Sequence, residues 1–537
     1  MADLDGSDQF AVYTGSDHRK ITADQLSQNY NGSYANYKLA VYNSSNGNHY
    51  SVKCSELGSK ISSSNQSSYH FMISRGSTLY KVAAEKVLGL LGSRWGFDFN
   101  ITSFTNAGVE LQSGYNNPLI IEELIPNLHG EVYGVGRIDW KPYSGNMDGF
   151  AFKLNADGSL AWTRTFHSPP AVDTGYQSER IFSATVDSSG NLVFSGNYQD
   201  DQSPYGFKSV GFFGKIDRNG NFSNMKKTLN LSVHVSTRDI VNTGNDIYAI
   251  RHVWNNSGSS IVFFNSDLTK NSANTIAIGS GHVNGMIHDG SNIYLSGKES
   301  YSVALFRKID SSGNTSWSRT LALPFSRSCS GNHVALSGSD PVFYASEYAG
   351  SYPGTYWDRV ALVKYNSSGT LQWYRGLDLG YNGHLYTSGK NRGITADDDG
   401  NIYLLASSYG SSPKDYIIKF NSSGTLQWTR SVTFSNLVQS NSQAITINDQ
   451  GMLVISFGMV IIQVDKDGDF TGSFGSNVSF TIASDSVTVH TSTGSTLGNG
   501  NATSSTSSYW SSSNGPVDPG SEISTVSRSF SGNTFSI

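Results

Sequence analysis

The chain has 537 residues and a net charge of −5, from 37 Lys and Arg against 42 Asp and Glu. A mildly acidic chain lacks the basic surface that general nucleic-acid binding requires, so no nucleic-acid contact is predicted. The two cysteines, Cys54 and Cys329, exclude a disulfide framework and a cysteine-based zinc site, and no apolar run reaches the roughly 18 residues of a membrane span.

The first residues, Met-Ala-Asp-Leu-Asp, are acidic and contain no apolar core. No signal peptide is therefore predicted, and the chain is expected to be made in a cytoplasm. Charged residues make up only 15 %, and Gly occurs 56 times, which favours β-structure with many turns over helix. The length exceeds the roughly 100–200 residues of one domain, so several units are expected.

Residues 1–91 contain three short repeated units. Each alternates apolar and polar residues, turns at Gly or Asn, alternates again and ends in a helical pattern, which predicts a hairpin followed by a short helix. The units run over 10–26, 39–57 and 71–88. Units this small are not stable singly, so they are expected to pack on one another or on a neighbouring subunit.

These units resemble the amino-terminal modules of structural proteins of marine tailed phages, including cyanophages. The resemblance is carried by Phe10–Tyr13 followed by Lys20–Thr22 and by the repetition of this pattern. The second unit departs from it with Lys53-Cys54-Ser55, and the third with Ala83-Ala84-Glu85. The resemblance implies that residues 1–91 dock on other virion proteins, which would be tail, baseplate or fibre subunits.

Residues 92–127 form a connector. They carry four aromatic residues, which are Trp95, Phe97, Phe99 and Phe104. A flexible spacer would not need these side chains, so the connector is predicted to pack against a partner or against the base of the following domain.

Two hairpin motifs alternate over residues 128–480. The first motif reads Lys, an apolar residue and Asn or Asp, followed by Gly, Trp and Arg at fixed spacing. Its strong copies are Lys153–Arg164, Lys308–Arg319, Lys364–Arg375 and Lys419–Arg430. Weaker copies are Lys215–Lys226 and Gln463–Gly468, and the most degenerate is Phe263–Asn265.

The second motif is an apolar strand, a turn, and then a second strand that is typically introduced by Gly-Asn. Its copies are Ala184–Phe194, Asn242–Tyr248, Ile287–Tyr294, Ser337–Tyr344, Ile394–Leu404 and Ile447–Val454, with a poorer first copy at Glu131–Gly136. Two hairpins make four strands, which is the content of one propeller blade. The alternation therefore predicts an all-β fold, a seven-bladed β-propeller, preceded by a small α+β region of three hairpin–helix repeats.

The residue types of the first motif suit a blade. Asn or Asp bonds its own backbone at the start of a turn, and Gly supplies the positive φ that closes it. Trp and Arg share one face of their strand, opposite the Lys strand, so Lys or Arg is expected against the indole and the Trp between blades. These copies resemble the repeats of bacterial and phage proteins built as seven-bladed propellers, and the resemblance implies the fold but no activity.

Residues 481–537 form a Ser-, Thr- and Gly-rich carboxy-terminal extension, with runs such as Thr503–Ser508 and Ser511–Pro516. Composition alone predicts disorder for this segment. Contacts within an assembly would order it.

The sequence contains no recognisable hydrolase, zinc-protease or nucleotide-binding motif. No catalytic, cofactor-binding or metal-binding residue is therefore predicted, no cofactor is expected, and ligand-binding residues are left unassigned. His282 and His288 are the nearest to a histidine pair but lack further ligands, and Asp397–Gly400 and Asp465–Asp469 are interpreted as turns. Glu122 and Glu123 are adjacent in a strand, so their side chains are expected on opposite faces.

The first functional hypothesis is a non-enzymatic structural protein of the virion tail region. It would act as an adaptor or scaffold in assembly and host attachment, in a symmetric multi-copy assembly. An adhesin that binds a receptor or glycan is the alternative, because exposed Tyr and Trp stack on sugar rings. A polysaccharide-degrading enzyme is a third hypothesis, which needs carboxylates about 5–9 Å apart that the sequence does not nominate.

Overall fold

The computed structural model describes the strands of residues 1–91 by their backbone, together with most of residues 94–537. The described ranges are 9–14, 17–22, 38–43, 48–53, 69–75, 78–83, 94–99, 119–139, 147–167, 179–200, 208–228, 235–254, 258–271, 276–279, 282–300, 302–310, 313–322, 328–349, 357–378, 385–387, 393–408, 414–434, 442–474, 479–491, 496–499, 505–506, 524–526, 531–535 and 537. Within these ranges, no helix combines the length and apolar character needed to cross a bilayer.

Six strands of the amino-terminal region pair into one sheet. They are β1 (Gln9–Thr14), β2 (Asp17–Thr22), β3 (Lys38–Asn43), β4 (Asn48–Lys53), β5 (Tyr69–Arg75) and β6 (Thr78–Ala83). They form three antiparallel hairpins, β1–β2, β3–β4 and β5–β6. The first strands of the hairpins also pair mutually, as β1–β3, β3–β5 and β1–β5, which closes a triangle. The helical turns predicted after each hairpin lie outside the described residues.

Seven further sheets form a seven-bladed β-propeller, which confirms the predicted repeat architecture. One strand, β7 (Trp95–Phe99), precedes them. Blade 1 contains β8 (Leu119–Pro126), a 3-10 helix (Leu128–Gly130), β9 (Val132–Asp139), β10 (Met147–Leu154) and β11 (Leu160–His167). Blade 2 contains β12 (Arg180–Val186), β13 (Leu192–Asp200), β14 (Lys208–Ile216) and β15 (Phe222–Lys227). Blade 3 contains β16 (Val235–Asn242), β17 (Tyr248–Trp254), β18 (Gly258–Phe264) and β19 (Ile276–Gly279).

The remaining blades follow in chain order. Blade 4 contains β20 (His282–His288), β21 (Asn292–Ser300), β22 (Val303–Asp310) and β23 (Thr315–Ala322). Blade 5 contains β24 (Ser328–Ser337), β25 (Asp340–Ala349), β26 (Trp357–Tyr365) and β27 (Leu371–Asp378). Blade 6 has an inner strand in two pieces, β28 (Leu385–Thr387) and β29 (Ile394–Ala396), followed by β30 (Ile402–Ser408), β31 (Asp415–Phe420) and β32 (Leu426–Phe434). Blade 7 contains β33 (Ser442–Ile447), β34 (Leu453–Phe457) and β35 (Val460–Val464).

The fourth strand of blade 7 is β7, which comes from the segment before blade 1 and pairs with β35. The predicted seventh copy of the first motif, Gln463–Gly468, is therefore not completed by the strand that follows it. That strand, β36 (Gly472–Phe474), pairs on blade 6 through β37 (Phe480–Ser484). In this copy, Gly472 and Phe474 occupy the positions at which the strong copies have Trp and Arg. The missing Trp is supplied by Trp95, which lies opposite Gln463.

From β37 onward the chain runs around the rim against the order of the blades, and we call these strands the rim belt. Its members are β37 on blade 6, β38 (Thr488–His490) on blade 5, β39 (Thr496–Asn499) on blade 4, β40 (Ser505–Thr506) on blade 3, β41 (Ser524–Val526) on blade 1 and β42 (Gly532–Phe535) against β7 in blade 7. The expectation of disorder is wrong for these strands, because the outer edges of the blades supply backbone hydrogen-bond partners that a polar segment can use.

Apolar side chains fill the spaces between adjacent blades. Between blades 7 and 1, the ring of Phe99 is fully buried and lies 5.9 Å from Phe150 and 5.4 Å from Phe152, centroid to centroid, in edge-to-face contacts. The strand that closes the ring of blades therefore also contributes to the core next to it.

Substitution Phe99→Ala is expected to lower the free energy of unfolding by about 3–5 kcal/mol, because it leaves a cavity at this closure. Urea unfolding followed by tryptophan fluorescence measures the change. Leu128→Ala is the control, since Leu128 is 47 % exposed and its replacement should change stability by no more than about 0.5 kcal/mol. Equal effects of the two substitutions would contradict a closing role for β7.

Candidate functional site

Each strong copy of the first motif holds the turn of the next blade with its Trp and Arg. The indole Nε1 donates to a turn carbonyl: Trp162 to Arg218 at 3.1 Å, Trp317 to Ser367 at 3.1 Å, Trp373 to Ser422 at 3.2 Å and Trp428 to Lys466 at 3.3 Å. The guanidinium Nε donates to the turn Gly: Arg164 to Gly220 at 2.6 Å, Arg319 to Gly369 at 2.8 Å, Arg375 to Gly424 at 2.5 Å and Arg430 to Gly468 at 2.7 Å. We call this unit the blade latch, and it confirms that the motif Trp lies between blades.

The latch requires glycine in the turn that it grips. Gly369 has a φ of +80°, and a Cβ atom there would lie 2.7 Å from the ring of Trp317. Both the backbone conformation and the close approach of the indole therefore exclude a side chain. From the sequence, the turn Gly of the motif was expected to close the hairpin. It also leaves space for the indole of the preceding blade.

The motif cations divide between two aromatic partners. The Arg guanidinium lies over the motif Trp, for example 5.8 Å from the ring centroid of Trp317 for Arg319. The Lys lies instead over a Tyr of the adjacent strand, at 5.5 Å for Lys308 and Tyr294. The expected cation–indole contact is confirmed for Arg, and for Lys the partner is a tyrosine on the strand on its other side.

Trp95 supplies the latch of blade 7. Its Nε1 donates to the carbonyl of Ala156 at 3.0 Å in the blade 1 turn, and a Cβ atom on Gly158 would lie 2.6 Å from its ring. Arg94 beside it forms an ion pair with Asp465. Trp95 was predicted to lie in a connector, and its role in a latch was not predicted. The alternation of Trp95, Phe97 and Phe99 was the available signal, because it matches one face of a buried strand.

The acidic segments considered as metal sites are turns, as interpreted from the sequence. In the turn that begins at Asp397, the carboxylate accepts from the backbone and side chain of Asn401 at 2.8 and 3.0 Å and from Tyr403 at 2.9 Å, and Lys466 pairs with it at 3.3 Å. In the turn that begins at Asp465, the carboxylate accepts from the amide of Asp467 at 3.0 Å. Within the described part of the chain, no group of three or more His, Cys, Asp or Glu side chains is arranged to hold a metal ion.

Glu122 and Glu123 have separate partners. Glu122 pairs with Arg137 at 2.6 Å, whereas Glu123 accepts from the backbone amide of Ala184 in blade 2 at 3.0 Å. His288 accepts from the amide of Gly290 at 3.1 Å in its own turn, while the side chain of His282 lies outside the described residues. The two glutamates therefore do not form a joint site.

The inner strands of all seven blades enclose a central channel with a volume of about 360 Å3. Its lining is mainly aliphatic, for example Ile125, Val186, Val241, Ile394 and Ile445. Glu123 is the one carboxylate among the lining residues, and Ala184 already bonds to it. The channel wall therefore offers packing surface rather than a charged cluster.

A second and larger cavity is a groove of about 800 Å3 between blades 5 and 6, which we call the Trp373 groove. Its lining residues are Asp340, Lys364, Leu371, Gln372, Trp373, Tyr374, Arg375, Ser422, Ser423 and Thr491. The groove coincides with a departure from the repeat. Lys153, Lys308 and Lys419 lie opposite Tyr133, Tyr294 and Tyr403 in their blades, but Lys364 lies opposite Val342.

Without the tyrosine, one motif Trp lacks the ring contact that the other three have. Trp162, Trp317 and Trp428 lie 5.7, 6.1 and 6.2 Å from Tyr133, Tyr294 and Tyr403, centroid to centroid. Trp373 makes no such ring contact among the described residues. It keeps its latch to Ser422 but is only partly buried, beside Leu371, which is 40 % exposed.

Turn aspartates stabilise the hairpins electrostatically. The carboxylate of Asp187 accepts from the amides of Ser189 and Asn191 at 2.9 and 2.8 Å and from Lys215 at 2.9 Å. Burial alone would raise the pKa of Asp187, but the hydrogen bonds from Lys215 and Asn191 outweigh it and hold the pKa below its ordinary value.

Replacing the turn glycine of a latch should lower the free energy of unfolding more than replacing a glycine that has positive φ but no close neighbour. Gly369→Ala combines positive φ with the clash against Trp317, for an expected loss of about 2–5 kcal/mol. Gly338→Ala is the matched control, because Gly338 also has positive φ but a Cβ atom there would meet nothing within 4 Å, so a loss of about 1–2 kcal/mol is expected. Thermal unfolding compares the two, and equal losses would contradict the latch.

Stability should fall in acid as the turn aspartates are protonated. Because the pKa of Asp187 is lower in the folded chain, its contribution is present above the unfolded pKa of about 3.9 and is lost as the pH falls through the lower folded value. Asp187→Asn should therefore flatten the dependence of the thermal midpoint on pH below about pH 4. Ser189→Ala, at an exposed position of the same turn, keeps the backbone amide that bonds to Asp187 and is the control, which should leave that dependence unchanged.

No family model and no curated protein matches the chain. Among solved structures it is similar to Drosophila semaphorin 2a, at 9 % identity over 65 % of this chain and 74 % of that chain, with a TM-score of 0.36. It is also similar to the polysaccharide lyase Uly1, at 12 % identity over 70 % of this chain and 97 % of that chain, with a TM-score of 0.39. Similarities this weak carry no argument about function.

Proposed function

We propose that the chain is a structural protein of a tailed-phage particle, located in the tail, baseplate or fibre region. In this proposal the propeller is a rigid, non-enzymatic adaptor in assembly and host attachment, and residues 1–91 dock it on other virion proteins. The observation that carries the proposal is the way the ring is sealed. The segment before the blades supplies β7, and the segment after them supplies the rim belt. Both pair with blade strands, so the propeller is reinforced at its closure and around its edge.

The chemistry of the repeat supports a scaffold. The motif Trp and Arg residues join blades, and turn Asp residues such as Asp397 close hairpins. Four latches and the contact of Trp95 join five of the seven pairs of adjacent blades. A platform that positions other subunits needs this kind of rigidity.

The triangular arrangement of β1, β3 and β5 supports docking by the amino-terminal region. Each outer strand, β2, β4 and β6, has one strand partner among the described strands. An exposed strand edge is a template for pairing with another chain. Three related hairpins present three such edges, which suits contact with several copies of a virion subunit.

Cross-linking of intact particles tests this proposal. Particles from an infected culture are treated with an amine-reactive cross-linker and digested for mass spectrometry. Cross-links to another virion protein are expected from Lys20, Lys38, Lys53 and Lys81, which lie on the amino-terminal strands. Lys270 and Lys298 in the propeller serve as the comparison and should cross-link mainly within the chain.

Two results would overturn the proposal. One is absence of the chain from purified particles when it is abundant in the lysate. The other is its presence in particles with external cross-links from the propeller lysines and none from the four amino-terminal lysines, which would place the docking surface elsewhere.

A further inference from the structure

Blades 5 and 6 begin their outer strands with the same three residues in the same local geometry. Leu371-Gln372-Trp373 and Leu426-Gln427-Trp428 occupy corresponding positions. The amide of Gln372 donates to the carbonyl of Thr370 at 3.3 Å, and that of Gln427 to Thr425 at 3.0 Å. The two segments differ in the residue opposite the motif Lys, which is Val342 in blade 5 and Tyr403 in blade 6. The first segment lines the Trp373 groove.

In blade 5, a serine hydroxyl makes the hydrogen bond to the next blade that a tyrosine hydroxyl makes in blade 1. In blade 1 the hydroxyl of Tyr133 donates to the carbonyl of Gly190 in the next blade at 2.8 Å. In blade 5 the hydroxyl of Ser337 makes the equivalent bond to Gly400 at 2.6 Å. The contact between blades is therefore kept by a much smaller side chain, and Trp373 has no tyrosine ring beside it among the described residues.

The cationic groups of the Trp373 groove are already occupied. Lys364 donates to the hydroxyl of Ser337 at 3.0 Å and to the carbonyl of Ser422 at 3.3 Å, and burial lowers its pKa. Arg375 donates to three backbone carbonyls, those of Gly424, Tyr374 and Ser423, at 2.5, 2.6 and 3.3 Å. Most of the N–H donors of the two side chains are therefore bonded to protein oxygens, which leaves few of them to bind a ligand.

The remaining polar groups of the groove are those that bond hydroxyls. The carboxylate of Asp340 lies 3.9 Å from the ammonium of Lys364, which is beyond hydrogen-bond length, and its side chain is 29 % exposed. Gln372 and Ser422 are exposed at the rim. Carboxylate and amide oxygens accept from hydroxyls, and amide N–H groups and hydroxyls donate to them. The carboxylate of Asp340 also offsets one of the two positive charges of the groove, which weakens its attraction for an anion.

We infer that the Trp373 groove binds a neutral carbohydrate. The apolar face of a sugar ring would stack on Trp373 and Leu371, and its hydroxyls would bond to Asp340 and Gln372. The volume of about 800 Å3 lies within the roughly 300–1,000 Å3 typical of ligand sites and has room for more than one sugar unit. This inference does not depend on the proposed place of the chain in a particle.

The full-length chain is titrated with neutral glucose-, galactose- and mannose-based oligosaccharides, and binding is followed by saturation-transfer NMR and tryptophan fluorescence. Binding of at least one of them is expected. Gln372→Ala should weaken it by about three- to tenfold, as expected for the loss of one hydrogen bond. Gln427→Ala is the matched control and should leave binding unchanged, because Tyr403 fills the corresponding space in blade 6.

A second variant closes the groove instead of removing a contact. Val342→Tyr restores the tyrosine of blades 1, 4 and 6 beside Trp373 and should abolish binding. Thermal unfolding checks that this variant folds, and the double variant Leu371→Ser with Gln372→Ala, at two exposed positions, replaces it if it does not. The inference is overturned if no neutral oligosaccharide binds, if Gln372→Ala and Gln427→Ala weaken binding equally, or if uronate-containing oligosaccharides bind in preference to neutral ones.

Discussion

The structure depends on one repeated interaction, in which an indole N–H and a guanidinium from one blade bond to the turn carbonyls of the next. A β-sheet satisfies its own backbone, but nothing in a single blade fixes its angle to its neighbour. The latch does so, because a planar indole and a planar guanidinium together grip a turn that only glycine allows them to approach. The contact joins blades 1 and 2, 4 and 5, 5 and 6, and 6 and 7, and Trp95 makes the indole part of it between blades 7 and 1. Most of the ring is therefore held at fixed angles, which sets the geometry of the packed cores between those blades.

Much of the propeller could be predicted from single residues and their spacing. The distances from Lys to Gly and from Gly to Trp define a hairpin in four strong copies, because turn geometry leaves little freedom in the number of residues. The degenerate third copy shows what such a pattern tolerates. Where Gly is absent, Leu268 takes the positive φ of +62° in the turn and is fully buried. Burial of a large apolar side chain offsets a backbone conformation that would otherwise be disfavoured.

The parts that could not be predicted are strands that pair through backbone hydrogen bonds, without a recognisable pattern of side chains. β38 and β40 are short polar segments, and their pairing on the rim leaves no apolar alternation in the sequence. Blade 7 borrows its outer strand from a segment hundreds of residues away, so no local spacing announces it. The Trp373 groove is different again. It coincides with a single exchange, Val342 for a tyrosine opposite the motif Lys, which becomes visible only when strands of different blades are placed in register.

The position of β7 has a mechanical consequence. It lies between β35 and β42, antiparallel to both, and residues 1–91 extend from its start. A pull directed along β7 would load the hydrogen bonds on its two sides together in shear, rather than breaking them one after another from an end. If the chain were anchored by its first residues, such a pull would reach the ring at β7, which is paired on one side with β35 and on the other with β42.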